Sequence, residues 1–262
     1  MPTVSPAPVK NVAREKRISY YLSYLRSLIF TDPLICLYTV VCGTCSLLGS
    51  FFDSQGRWQH FWACFWSWLI LRTGGIRVRV EGIENVNPHA TAIYCLNHPS
   101  AMDIPILFVN LPVQFRFVAK RELFNYPFLG WHLRRSGHIA VDRGRPRAAM
   151  KSFGEAAAKV RSGVSLVMFP EGTRSRTGEL LPFKAGTFHL AILSGAPVVP
   201  ITMNGTRYVH QPDTYQVRAG QTEMIIHQPI PTAGLTLHDV DRLSAEVRER
   251  IVSRMRPLAG KE

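Results

Sequence analysis

Acidic side chains are the scarce class in this 262-residue chain, with 18 Asp and Glu against 31 Lys and Arg, a formal net charge of +13. A deficit of that sign points to an acidic partner: anionic lipid, nucleic acid, or an acidic protein or substrate. Cysteines are few and odd in number, five in all. Cys36, Cys42, Cys45, Cys64 and Cys95 lie in apolar segments and make no disulfide framework, so free thiols in a reducing compartment are expected. The single C-x-x-C, Cys42-Gly43-Thr44-Cys45, sits inside an uncharged run, whereas a redox motif needs a polar, exposed helix start. No second pair completes a zinc site. The sequence also lacks a glycine-rich nucleotide loop and an H-E-x-x-H metal motif, and it has no G-x-S-x-G nucleophile elbow. No metal and no bound cofactor is therefore expected. There is no internal repeat, and no low-complexity stretch follows residue 10.

Charge is missing altogether from Pro33 to Phe52, twenty residues that would reach across about 30 Å of hydrocarbon as a helix. Thr39, Gly43, Thr44, Ser46, Gly49 and Ser50 weaken it as a spanning segment. Before it, Met1 to Lys10 reads as a disordered lead-in. Asn11 to Phe30 reads as a basic helix with tyrosines at a water–lipid boundary, or as an amphipathic helix on a soluble core. After it, Ser54 to Arg57 forms a turn, and Trp58 to Leu71 carries four of the five tryptophans. Trp prefers the headgroup region, and this segment is too short to span alone. Basic residues flank both ends, which places both on the same side of a membrane. The preferred reading is a two-helix hairpin sunk into one leaflet, over residues 1–73. The alternative is a pair of core helices in a soluble protein. A signal peptide is disfavoured, because the basic N-region is too long and no small-x-small cleavage site follows.

From residue 74 to 262 the pattern is that of an α/β domain with a mixed β-sheet flanked by helices. Strands are expected at Ile76–Val80, Thr91–Leu96, Gln114–Ala119, Gly137–Val141, Val164–Phe169 and Pro197–Met203, with edge strands within Tyr215–His227. Helices are expected at Pro146–Arg161, Gly186–Leu193 and His238–Met255. Two loops follow buried strands. In Asn97-His98-Pro99-Ser100-Ala101-Met102-Asp103, a His leaves the strand and an Asp stands five residues on. The two meet only if His98 lies in the turn and Asp103 at the helix start. The carboxylate would then fix the tautomer and leave the other imidazole nitrogen as a base; a surface His and a helix-capping Asp is the other reading. In Pro170-Glu171-Gly172-Thr173-Arg174-Ser175, Gly allows close backbone approach and Arg suits a phosphate or carboxylate. A salt-bridged turn is the other reading here.

The two loops in this order resemble the glycerophospholipid acyltransferase superfamily. So do Lys120-Arg121-Glu122-Leu123 with Pro127 and Gly130, leading to Asp142-Arg143, and Ala196-Pro197-Val198-Val199-Pro200. The resemblance runs from about Ile76 to Gly205. The apolar N-terminal hairpin is similar to the membrane anchor of bacterial members. The resemblance implies the glycerolipid acyltransferase fold, with residues 74–262 as the catalytic domain. It implies transfer of an acyl group from a thioester, on coenzyme A or acyl carrier protein, to the sn-2 hydroxyl of 1-acylglycerol 3-phosphate. His98 would be the base and Asp103 its orienting partner, with no acyl-enzyme. Asn97, Glu171, Gly172, Thr173 and Arg174 would hold the acceptor, Arg174 on its phosphate. Lys120 is a second phosphate candidate or an exposed strand-end lysine, and Arg143 is more structural. Backbone N–H groups near Gly172 are candidates for the oxyanion. The implied location is the cytoplasmic face of a bacterial inner membrane, against anionic lipid.

Another lysolipid, glycerol phosphate or a lyso-lipid carrying an amino acid are alternative acceptors, because the same blocks serve them. A scaffold with a dead acyltransferase fold is a further reading, although all the expected reactive residues are present. Nucleic acid is disfavoured as a partner, because the aromatic cluster sits in the uncharged segment and is not interleaved with basic residues.

Overall fold

The computed structural model describes residues 20–142 and 146–257. The expectations for Met1 to Lys10, for Arg14, Lys16 and Arg17, and for Arg143 lie outside them. The first helix, α1, runs unbroken from Tyr20 to Gly49. The sequence had suggested two segments here, meeting near Phe30. A π-helical turn at Ser27–Thr31 joins them. Pro33 explains the turn: it has no N–H and its ring crowds the carbonyl four residues back, which a locally wider turn relieves. Helix α2 spans Arg57–Gly74 after Gly56, whose φ of 68° takes the chain around the corner. Asp53 caps that corner, accepting from the N–H groups of Gln55 and Trp58. The two helices touch through Trp66 Nε1 to Thr39 Oγ1 at 3.0 Å and Trp58 Nε1 to the Cys45 carbonyl at 3.0 Å.

Their burial differs. Helix α1 exposes Leu22, Leu25, Leu28, Ile29, Phe30 and others, and it is held to the rest of the chain by polar contacts near its start. Arg26 donates to the Val217 carbonyl at 3.0 Å, and Ser27 Oγ accepts from the Val217 N–H at 2.8 Å. Helix α2 instead gives Ala63, Ile70 and Leu71 to the core.

The strands and helices that follow are β1 (Ile76–Glu81), β2 (Ile93–Leu96), α3 (Asp103–Asn110), β3 (Phe115–Lys120), α4 (Leu129–Arg135), β4 (Ile139–Val141), α5 (Pro146–Arg161), β5 (Ser165–Met168), α6 (Gly186–Ser194), β6 (Val198–Asn204), α7 (Thr206–Val209), β7 (Gly220–Ile226) and α8 (Val240–Ser253). One seven-stranded sheet has the order β1-β7-β6-β2-β5-β3-β4. Strands β2 to β6 are mutually parallel, β7 is antiparallel to β6, and β1 is parallel to β7. The sheet is therefore mixed. The carboxyl ends of β2, β3, β5 and β6 share one edge with the amino ends of β7 and β1.

The expectation of edge strands within Tyr215–His227 is corrected: β7 is interior, between β1 and β6. Met224, Ile225 and Ile226 are buried in succession, which suits a strand covered on both faces. The edge on this side is β1, whose Arg77 and Arg79 are exposed; charge on an edge strand discourages pairing with another chain.

Strand β2 shows how the core forms on both faces. Its four residues are fully buried. Tyr94 and Leu96 join the cluster under α2 and α3, while Ile93 and Cys95 join the one under α6 and α8. That is the period of two of a strand with no wet face. Each such apolar side chain contributes about 1.5–3 kcal/mol.

Histidines on the α2–α4 side make stability sensitive to acid. Burial, then the Arg116 guanidinium, pushes His132 down to about 4. His138 is held well below the ordinary range by burial, then His132 and Arg116. Its Nδ1 accepts the Phe117 N–H at 2.9 Å, a bond that the cation would lose. Unfolded, both return to about 6.5. The unfolded chain therefore binds more protons between pH 6.5 and 4, and stability falls as pH drops through that window. Denaturant unfolding at pH 7 and pH 4.5 is expected to differ by on the order of 3 kcal/mol from His132 alone.

Candidate active site

His98 leaves the carboxyl end of β2, and Asp103 is the first residue of α3. Pro99 and Ser100 form the turn between them. The His98 Nδ1–H donates to Asp103 Oδ2 at 2.8 Å, and the Ser100 N–H donates to the same oxygen at 3.0 Å. Asp103 is fully buried, while the His98 side chain keeps 14% of its surface. The imidazole is thus fixed in one tautomer, with Nε2 left as the acceptor. Among the described residues Asp103 Oδ1 is buried without a hydrogen bond, so the carboxylate's bonds there are concentrated on the turn that carries His98. The imidazole also lies on the Phe169 ring, with centroids 3.8 Å apart and an interplanar angle of 23°.

Strand β5 lies beside β2 and delivers the second loop to the same edge. Glu171 is the clamp between the loops. Its Oε1 accepts the His98 N–H at 2.7 Å and its Oε2 the Leu181 N–H at 2.8 Å. The carboxyl is raised above its usual range by burial, against the pull of those two amides. Asn97 is likewise engaged: its side chain accepts the Met203 N–H at 2.8 Å and donates to the Met203 carbonyl at 3.0 Å. These two residues, expected at the acceptor, have their polar atoms committed to the backbone of neighbouring segments. The Gly172 N–H, an oxyanion candidate, is held by the Phe169 carbonyl at 3.0 Å. Gly172 has a φ of 73°, and a Cβ there would press on the Lys184 side chain.

The other expected residues converge. His98, Lys120, Gly172, Thr173 and Arg174 line one cavity of about 500 Å³. Its remaining wall is mostly apolar and includes Phe108, Phe117, Trp62, Trp66 and Phe128. Lys120, at the end of β3, pairs with Glu122 at 3.2 Å and is half exposed. Arg174 is half-buried. Among the described residues no group of three His, Cys, Asp or Glu side chains is placed to hold a metal ion. The arrangement offers an imidazole oriented by a carboxylate, an apolar slot and two cations in one hollow outside the carboxyl ends of parallel strands, where open α/β sheets bind ligands.

Comparison with known proteins fits this geometry. The acyltransferase family model matches residues 77–204, within one residue at each end of the segment that carries the ordered motifs. A 1-acyl-sn-glycerol-3-phosphate acyltransferase of Saccharomyces cerevisiae is 32% identical over 251 residues, covering 92% of this chain and 80% of the relative. The chain belongs to the acyltransferase family. A Limnanthes douglasii relative of the same name is 38% identical over 174 residues, 66% of this chain and 61% of its own length. The chain spans about three fifths of the length of the Limnanthes and Cocos nucifera relatives it matches. The crystal structure of the 1-acyl-sn-glycerophosphate (LPA) acyltransferase PlsC from Thermotoga maritima superposes with a TM-score of 0.77. It is 26% identical, covering 89% of this chain and 94% of that one.

Sequence reading missed two parts of this family member's site. Phe169 entered the sequence reading as the last residue of the Val164–Phe169 strand, and its stacking on His98 had no signal beyond its place before the loop. Thr39, Cys42, Gly43 and Ser46 of α1 line the cavity too, although that stretch reads from sequence as membrane anchor. Gly43 was the available clue: a Cβ at that position would overlap the Phe128 ring.

Proposed function

We propose that this protein moves a fatty acyl group from a thioester, acyl coenzyme A or acyl carrier protein, to the sn-2 hydroxyl of 1-acylglycerol 3-phosphate, giving phosphatidic acid. The observation that carries this is His98, backed by Asp103 at 2.8 Å and opening with Arg174 onto an apolar slot. The names of the relatives supply the acceptor. The acceptor's hydroxyl gives its proton to His98 Nε2 as its oxygen attacks the thioester carbonyl. Asp103 stabilises the resulting imidazolium. The tetrahedral intermediate then expels the thiol, which takes the proton from His98. The Thr173 and Arg174 amides make no hydrogen bond among the described residues and would serve as donors to the oxyanion. Arg174, with Lys120, holds the acceptor's phosphate. Glu171 and Asn97 position the loops without touching the substrate.

In this reading residues 1–73 anchor the catalytic domain of residues 74–262 to one leaflet. The exposed apolar face of α1 supports it. The acceptor and product are lipids and the donor is soluble, which suits the cytoplasmic face of a bacterial inner membrane. The test is thiol release by detergent-purified protein given acyl thioester with and without 1-acylglycerol 3-phosphate. Acceptor-dependent release with phosphatidic acid formed supports the assignment. Release with another lysolipid alone replaces the acceptor, and no release with any acceptor and either donor refutes the reaction.

A second prediction concerns the slot. Phe128 already has a φ of 66°, a strained value for a bulky residue. Gly43→Leu forces its ring aside, into the slot. The ratio of kcat/KM for a long-chain donor to that for a short one is expected to fall about tenfold or more. An unchanged ratio would show that the acyl chain lies elsewhere.

A further inference from the structure

His98 stands at a divide in the sheet edge. On its β5–β3 side lies the apolar slot. On its β6–β7–β1 side lies a second concavity of about 820 Å³, which reaches the catalytic turn at Asn97 and Pro99 and the neighbouring loop at Thr177 and Gly178. Five arginines line it: Arg77, Arg79, Arg207, Arg218 and Arg256. Two have carboxylate partners: Arg79 pairs with Glu81 at 3.0 Å, a carboxylate it shares with Arg254, and Arg256 pairs with Glu223 at 2.7 Å. The other three have no carboxylate partner among the described residues. Arg207 donates to the Ser175 carbonyl at 3.2 Å and Arg218 to Gln216 at 3.1 Å, which fixes their guanidinium planes without cancelling their charge. Tyr208, 53% exposed, adds an aromatic face in the same groove.

Three uncompensated guanidiniums in one hollow await an anion with several phosphates. The acyl chain and the polar handle of a thioester donor extend in opposite directions from the reacting carbonyl, as the slot and the groove do from His98. The acceptor's single phosphate is already served by Arg174 and Lys120. We propose that this groove docks the nucleotide of acyl coenzyme A. Arg77, Arg207 and Arg218 hold its phosphates and Tyr208 offers a stacking face for its base, while the pantetheine arm passes Pro99 to His98. The proposal rests on the acyl-transfer reading for its occupant and adds the donor and its site. A polyanion of this size suits a hollow of about 820 Å³ better than a folded carrier protein does.

The experiment uses full-length protein in detergent. Adenosine 3′,5′-bisphosphate, the handle without a thioester, is titrated calorimetrically into wild type, Arg77→Glu and Arg218→Ala. In parallel, KM is measured for acyl coenzyme A and for the matching acyl N-acetylcysteamine thioester, which carries no nucleotide. The expected result is about tenfold weaker bisphosphate binding in each variant, with KM raised about tenfold more for acyl coenzyme A than for the short thioester. Equal KM changes for both thioesters, or wild-type bisphosphate affinity in the variants, would overturn it. So would variants that lose only binding to phosphatidylglycerol vesicles or only turnover of acyl carrier protein. Because the titration needs no turnover, bisphosphate bound in the groove of a protein that transfers no acyl group would leave the nucleotide site standing and remove the reaction.

Discussion

His98→Ala is expected to lower kcat by about 10²–10⁴-fold while moving KM for the acceptor little, because on the proposed mechanism it removes the base and leaves the slot and both cations in place. His98 is the one imidazole of the cavity held by a carboxylate, with Nδ1 donating to Asp103 at 2.8 Å. His132 and His138 also line the cavity, but burial keeps them neutral and their Nδ1 atoms bond Ser46 and the Phe117 amide. Asp103→Asn should cost a comparable factor by a different route. An asparagine amide donates to Nδ1 and so moves the imidazole proton to Nε2, where the base is needed. Stopped assays of thiol release, with the melting temperature checked alongside, measure both variants. A His98→Ala enzyme with full kcat would remove the general base from the mechanism.

Glu171→Ala carries the second large effect, and it falls on stability and turnover together. The side chain is 3% exposed and accepts from the amides of His98 and Leu181, one from each loop of the site. Its removal leaves two part-buried N–H groups unpaired, together costing about 3 kcal/mol at the lower part of the 1–3 kcal/mol range for each. A loss near 3 kcal/mol corresponds to roughly 6–12 °C in Tm for a chain of this size. The turn that carries His98 also loses one of its two ties to the Arg174 loop, the Ser175 N–H to the His98 carbonyl at 3.2 Å being the other, so kcat should drop about tenfold, in line with the sensitivity of reacting geometry to small displacements. Glu171→Gln is expected to fall between, since its amide can accept from one N–H but opposes the other. A residue that merely bound the acceptor would behave differently: KM would rise and the unfolding midpoint would stay where it was.

What the sequence made legible follows from local physics. Ile93 to Leu96 and Leu166 to Met168 are apolar runs with no polar alternation, and both lie in strands covered on both faces. The five-residue spacing of His98 and Asp103 demanded a turn into a helix start, and that is their geometry. Tertiary context decided the rest. Nothing near Glu171 announces that its partners are residues 98 and 181, and nothing near Asn97 points to Met203. Within Tyr215–His227 only Met224 to Ile226 form an apolar run, so the interior place of β7 depended on β1 pairing with it from much earlier in the chain. Pro33 read as a helix boundary because a proline usually is one; the π turn before it was not encoded in any apolar period. The tryptophans of α2 read as an interfacial cluster, yet Trp62 and Trp66 face the slot, because composition does not say which side of a helix meets a protein and which meets lipid.

The strand order has a consequence for how the molecule is made. Only β3–β4 and β6–β7 pair with their neighbours in sequence. Strand β2, which carries His98, lies between β5 and β6, so its second partner is complete only at Asn204. Its Asn97 lock also waits for Met203. Such non-local pairing slows folding and prolongs exposure of unpaired strand edges. During synthesis α1 emerges long before this closure, so a nascent chain would hold its unfinished sheet while its apolar helix was already available to a bilayer. Assembly of the catalytic turn is thus a late event, and a chain that stops short of β6 has the motif but no site.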